Sequence, residues 1–210
     1  MEETTKKLFE SRLKETKNNK SKQWTIEDLE KVLKALEKDK SRDALGHANE
    51  IFRKEVAGSN LKLAILKMMN LIKKKSKYPE ALEKYNITTI YKHKGSQKDF
   101  HFYRGVFRVT VFRSILDQLM YNDFSAVIDQ HLTDGNVGAQ NQRNICDNMF
   151  VLGMVTNSVI NGKQPAIQAQ ILDVDTCFDK LWLQQAINAL YEDGLTNDTL
   201  NILYQENKNA

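Results

Sequence analysis

The chain has 210 residues, 41% of them hydrophobic and 28% charged, a composition that excludes wholesale disorder and suits one large or two small domains. Lys and Arg number 31 against 27 Asp and Glu, for a net charge of +4 and a pI near 8.9. That balance allows contact with a phosphate backbone without demanding it. Cys146 and Cys177 stand far apart and in no CxxC spacing. Neither a disulfide framework nor a zinc site is expected, and a reducing, intracellular compartment, nuclear or cytoplasmic, is. Residues 1–7 lack an apolar h-region, and apolar stretches such as 61–72 are broken by Lys62 and Lys67, so no contact with a membrane interior is expected.

In chain order, residues 1–22 are rich in Lys, Glu, Asn and Ser and read as a charged tail or frayed helix. Order begins at Trp24. Thr25 with Asp28 resembles a capping box, and Ile26, Leu29, Val32, Leu33 and Leu36 form one helical stripe. After a polar connector at 39–46, a short helix is expected at 48–56. Gly58-Ser59-Asn60 then signals a new helix start, with Leu61, Ile65, Leu66, Met69 and Ile72 on one stripe. Lys73, Lys74 and Lys75 at its end suit the C-terminal dipole. Past Pro79, the β-branched run Ile87-Thr88-Thr89-Ile90-Tyr91 predicts a strand. A second apolar run over 106–111 completes a hairpin-like unit. Residues 111–132 and 145–159 are predicted helical, 166–173 a strand, 181–191 a helix closed by Gly194, and 200–204 a last helix. The order predicts a helix-rich α+β fold.

Two constellations point to chemistry. The run Ile171-Leu172-Asp173-Val174-Asp175-Thr176-Cys177-Phe178-Asp179 puts a carboxylate just past a predicted strand, where it can enter a cleft and hold a hard divalent ion. Phosphoryl transfer needs such a carboxylate, because metal ions neutralise charge building on the attacking and leaving oxygens. The alternative is that Asp175 or Thr176 caps the next helix. Lys92, Lys94 and Arg104 flank the predicted turn, and could meet a triphosphate or form an ordinary solvated hairpin. His47, His93, His101 and His131 fall in no metal-ligand spacing.

Taken in order, these stretches resemble the reverse transcriptases of non-LTR (LINE-type) retrotransposons over residues 24–205. That family carries Lys-Ser-x-Gly-x-Asp-Gly, a strand ending in Pro-Lys-Lys-Gly, Tyr-Arg-Pro-Ile-Ser, a long helix, Gly-Phe-Arg, Arg-Ser-x-x-Asp and Phe-x-Asp-x-x-x-Ala-Phe-Asp. The matching stretches here are Lys40-Ser41-Arg42-Asp43-Ala44-Leu45-Gly46, Tyr91-Lys92-His93-Lys94-Gly95, Tyr103-Arg104-Gly105-Val106 and Val111-Phe112-Arg113-Ser114-Ile115. They continue with Val137-Gly138-Ala139-Gln140, Gln142-Arg143-Asn144-Ile145-Cys146-Asp147, and Leu172-Asp173 through Phe178-Asp179.

The resemblance implies the fingers and partial palm of a right-hand polymerase: a charged tail at 1–22, a helical extension at 23–85, fingers at 86–163 and partial palm at 164–210. It implies an RNA template, a DNA primer, dNTPs and Mg2+. Asp173 would be the first catalytic aspartate, with the Val174 carbonyl as a further metal ligand and Phe178 as the gate against a ribose 2′-hydroxyl. Arg104 would hold the triphosphate with Lys92 or Lys94. Arg143 and the Gly138 loop would lie along the template, Arg108 would add a phosphate contact, and Asp147 would be structural.

The chain departs from the family at Arg42, Asp43, Leu45, Gly105, Ala139, Gln140 and Cys177. It has no Phe/Tyr-Ala-Asp-Asp motif, so the rest of the polymerase is expected downstream or on another chain. An apolar face near Phe178, Trp182 and Leu183 is then expected to be exposed. The alternative is a non-catalytic remnant that binds RNA or an RNA–DNA hybrid.

Overall fold

The computed structural model describes residues 2–133, 135–138, 143–162, 166, 168, 170, 172 and 182–207. Among these it contains eight α-helices and one two-stranded sheet, a helix-rich arrangement compatible with an α+β class.

The main core is built by α2 (Ile26–Ala35), α4 (Ser59–Lys75) and α5 (Val111–His131), with the short α3 (Asn49–Phe52) against them. Thr25 and Asp28 form the expected capping box on α2. Thr110 caps α5 by accepting from the Arg113 N–H. Leu29, Leu33, Met69, Ile115, Leu116, Leu119 and Met120 are fully buried, each contributing roughly 1.5–3 kcal/mol of transfer free energy. Ile202, near the end of the chain, is buried in the same core.

Lys73 is the exception to the dipole reading of the three lysines that end α4. Its side chain is 2% exposed. The ammonium donates to Asp123 Oδ2 at 2.7 Å and to the Lys22 carbonyl at 2.5 Å, and lies 4.0 Å from the Trp24 ring centroid. Trp24 Nε1 donates to the same Asp123 oxygen at 3.0 Å. A buried ammonium needs this kind of full satisfaction.

Residues 2–18 are not a solvated charge run. They form α1 (Glu2–Asn18), which packs on α7 (Leu183–Glu192) and α8 (Thr199–Asn207). Phe9 is buried with Ile187, Leu195 and Leu200 in a second cluster, which Phe124 and Leu203 join to the first. Arg12 donates to Asn188 Oδ1 and Glu192, and Asn201 donates to Thr16 Oγ1 at 2.6 Å. Phe9 and Leu13 sit on the buried side of α1, and Arg12, Glu15 and Thr16 find specific partners. A charge count hides both features.

β1 (Tyr85–Tyr91) and β2 (Tyr103–Val109) pair antiparallel, Tyr85 opposite Val109 and Tyr91 opposite Tyr103. Most of their residues are exposed. α6 (Ile145–Ile160) also buries none of its residues: Met149, Phe150, Val151 and Met154 face solvent. Trp182 is 56% exposed and Leu183 half-buried; Phe178 lies outside the described residues. So does most of the strand expected at 166–173.

Candidate nucleic-acid interface

Pairing sorts the hairpin into two unlike faces, because directly opposite residues share a side and successive residues alternate. One face carries Tyr85, Ile87, Thr89, Tyr91, Tyr103, Gly105, Phe107 and Val109; the other carries Asn86, Thr88, Ile90, Arg104, Val106 and Arg108. On the first, Tyr85 meets Phe107 at 5.3 Å and Tyr91 meets Tyr103 at 5.4 Å between centroids. The second holds two arginines on one strand.

Lys92 and Lys94 lie at the distal end, just past Ile90, which pairs with Arg104. Lys92 Nζ donates to the His101 carbonyl at 3.2 Å. Among the described residues no carboxylate lies within ion-pair distance of Lys92, Lys94 or Arg104, and all three are exposed. Gly95 has φ +74°, and a Cβ there would collide with the Phe102 ring. Tyr91 Oη donates to its carbonyl at 2.6 Å. The turn that follows Lys94 is thus tightly specified.

At the opposite end the 40–46 segment closes onto the hairpin base. Asp43 Oδ1 accepts from the N–H of Leu45 at 2.8 Å and of His47 at 2.7 Å. Its Oδ2 accepts from the Val111 N–H at 2.9 Å and lies 3.3 Å from His47 Nδ1. Burial pushes this carboxyl up, but the donors from Val111, His47 and Leu45 outweigh burial and hold it below the ordinary carboxylate value. Asp43 thereby supplies an anion to the N-terminus of α5. Arg108 Nη1 donates to the Arg42 carbonyl at 3.4 Å. The Asp43-x-x-Gly46 spacing, with Gly46 at φ +84°, is a legible Asx-turn signal; that it would reach Val111 was not legible.

Arg143 lies 3.8 Å from Asp147, which caps α6 with Asn144, and Gly138 sits in an exposed turn. Both lie on the segment between α5 and α6, not on the hairpin. Asp173, Val174 and Phe178 lie outside the described residues. Among the described residues no group of three or more His, Cys, Asp or Glu side chains could hold a metal ion, and no helix is long and apolar enough to cross a membrane.

A second ionic cluster had no sequence signal. Arg113 Nε donates to Glu206 at 2.8 Å and lies 3.9 Å from Asp117. Asp117 Oδ1 is buried without a hydrogen-bond partner, although the side chain as a whole is 43% exposed. Burial and the neighbouring Glu206 push the Asp117 carboxyl up to about 8. Two carboxylates share one guanidinium here, which ties α5 to α8.

No family model matches the chain, and no curated protein is similar enough to count as a match.

Proposed function

We propose that the chain is the fingers and first palm portion of an RNA-directed DNA polymerase of the non-LTR retrotransposon type, inactive by itself. One spatial association supports the reading: stretches that carry the resemblance but lie apart in sequence meet at the hairpin. Lys40–Gly46 engages the start of α5 through Asp43 and Val111, and engages β2 through Arg42 and Arg108. The hairpin then holds Lys92, Lys94 and Arg104 away from that base, exposed and unmatched by carboxylates. Cations so placed can receive a triphosphate, Arg104 as a fork and the lysines as point charges.

In this reading Asp173 and the Val174 carbonyl would hold Mg2+, and Phe178 would gate the sugar. When bound, the metal would stabilise charge on the oxygens of the transferring phosphoryl group. Arg143, Gly138 and Arg108 lie along the nucleic acid.

The test is primer extension. The isolated chain should show none above background, and activity should appear once a palm segment carrying the missing aspartates is fused after Ala210. Asp173→Asn should then reduce it at least ~10²-fold, the loss typical of removing a single electrostatic stabiliser. A fused enzyme indifferent to Asp173→Asn refutes the assignment. Salt-dependent nucleic-acid binding together with an inactive fusion favours the non-catalytic RNA or RNA–DNA hybrid binding remnant instead.

A further inference from the structure

At the hairpin base, Lys40, Ser41, Arg42, Asn49, Arg108 and Ser114 line a cleft of about 230 Å3 that also includes Asp43. It adjoins a second cleft of about 300 Å3, with which it shares Lys40, Asn49 and Ser114. The Asp43 carboxylate is already engaged by three backbone N–H groups, and Lys40 by Glu37 at 2.5 Å. Arg42 and Arg108 have no carboxylate partner among the described residues. Their hydrogen bonds go to neutral carbonyls, Gly46 at 3.2 Å and Arg42 at 3.4 Å. Among the described residues Arg108 Nε is buried without a hydrogen-bond partner. The exposed Nη end of Arg108 and the Arg42 guanidinium are the groups that an oxyanion entering the cleft can reach.

We propose that this cleft is an oxyanion site that takes a phosphate group, held between the Arg108 Nη end and the Arg42 guanidinium. Its volume is below the roughly 300 Å3 at which sites for whole small molecules begin, which suits a single group rather than a nucleotide. Arg104 stands on the same sheet face four residues earlier, about 14 Å away at 3.4 Å per residue. That span is on the order of the separation between two nearby, non-adjacent phosphates of one strand. The cleft and Arg104 therefore suit two phosphates of one strand. This extension to a strand rests on the proposed nucleic-acid function; the oxyanion site itself does not.

Calorimetric titration of the full chain with inorganic phosphate, at matched ionic strength, tests the site. Saturable binding is expected. Arg108→Lys, which keeps the charge but removes the planar guanidinium, should weaken it about tenfold, the effect of losing one charge-assisted hydrogen bond. Because Arg108 also supports the Arg42 carbonyl, Arg42→Gln provides an independent check: its side chain is exposed and its loss should weaken phosphate severalfold without unfolding the chain. Titration with a 12-nucleotide single strand separates the sources. If phosphodiesters are the natural ligand, both Arg104→Ala and Arg108→Lys weaken the oligonucleotide. If free phosphate is, Arg104→Ala changes neither titration and the oligonucleotide does not compete. Absence of saturable phosphate binding, or wild-type binding by both Arg108→Lys and Arg42→Gln, overturns the proposal. Phosphate binding with an inactive fused polymerase would leave this site standing while the polymerase reading falls.

Discussion

Asp123→Asn should be among the more damaging single substitutions in the chain, although nothing in its sequence neighbourhood marks it. Asp123 Oδ2 receives both the Lys73 ammonium and the Trp24 indole N–H. Lys73 is 2% exposed, Asp123 25%. Removing one partner of a buried pair costs about 3–5 kcal/mol, because the other charge remains stranded. Here the Lys22 carbonyl and the Trp24 ring stay with the ammonium, and Asp123 keeps some water. These place the loss at the low end, ~3 kcal/mol, or about 6–12 °C in Tm for a chain of this size. Lys73→Met removes the stranded charge itself and leaves a partly solvated carboxylate, so about half that loss is expected. The ordering of the two variants is the diagnostic. Urea unfolding followed by tryptophan fluorescence measures it, in a Trp182→Phe background because Trp182 is largely exposed while Trp24 is buried. If Lys73 were a solvated helix-end cation, both variants would fall within ~0.5 kcal/mol of the parent. That result would refute the buried triad.

The Asp117 cluster predicts a pH dependence of opposite sign to ordinary acid denaturation. Its folded carboxyl titrates near 8, above the unfolded value near 4, so the folded state holds the extra proton between them and stability falls as pH rises through that window. Asp117→Asn should flatten the slope between pH 5 and 8.5 and stabilise the chain at the upper end. The gain is about 1 kcal/mol, well below the full linkage value because the side chain is 43% exposed and screened; a parent whose denaturant midpoint is flat over that range would contradict it. Replacing Lys92, Lys94 and Arg104 together by alanine should reduce the log–log salt slope of nucleic-acid binding by roughly one unit per lost contact, and an unchanged slope would make the tip a merely solvated surface. Gly95→Ala, forced to φ +74° against the Phe102 ring, should distort the tip by about 1–3 kcal/mol of local strain. Amide shifts confined to β1, β2 and their loop would show it, and a parent-like spectrum would count against the turn geometry.

What the sequence made legible is local. The capping box of Thr25, the stripes of α2 and α4, the β-branched strand, the long helix beginning at Val111 and the closure at Gly194 all follow from period, caps and turn residues. What it left dark depends on who meets whom. Lys73 looks like any helix-end lysine until Asp123, fifty positions on, comes beside it. Residues 2–18 look like a solvated tail because only Phe9 and Leu13 among the buried contacts are apolar, and Thr16 and Arg12 find partners that no local window contains. At the candidate site, the basic residues were legible as types, but their division into a distal tip and a basal cleft comes from strand register. In the sequence Asp43 is only a departure from a motif; in the fold it is the anion that fastens the motif to α5.

That fastening bears on how the hairpin can work. A two-stranded sheet exposed on both faces is marginally stable alone, so β1 and β2 must draw order from their base. Val109 leads directly through the Thr110 cap into α5, whose Val111, Ile115 and Leu116 are buried in the main core. Asp43 and Arg108 tie the 40–46 segment across the same junction. Local stability should therefore fall along the strands from the base to Gly95, with amide protection highest at Val109 and lowest at Lys94. Cations carried on the yielding end can close on a ligand, while Arg108 at the anchored end keeps a fixed geometry. A basal oxyanion site and a yielding cationic tip on one hairpin are two consequences of the same anchoring.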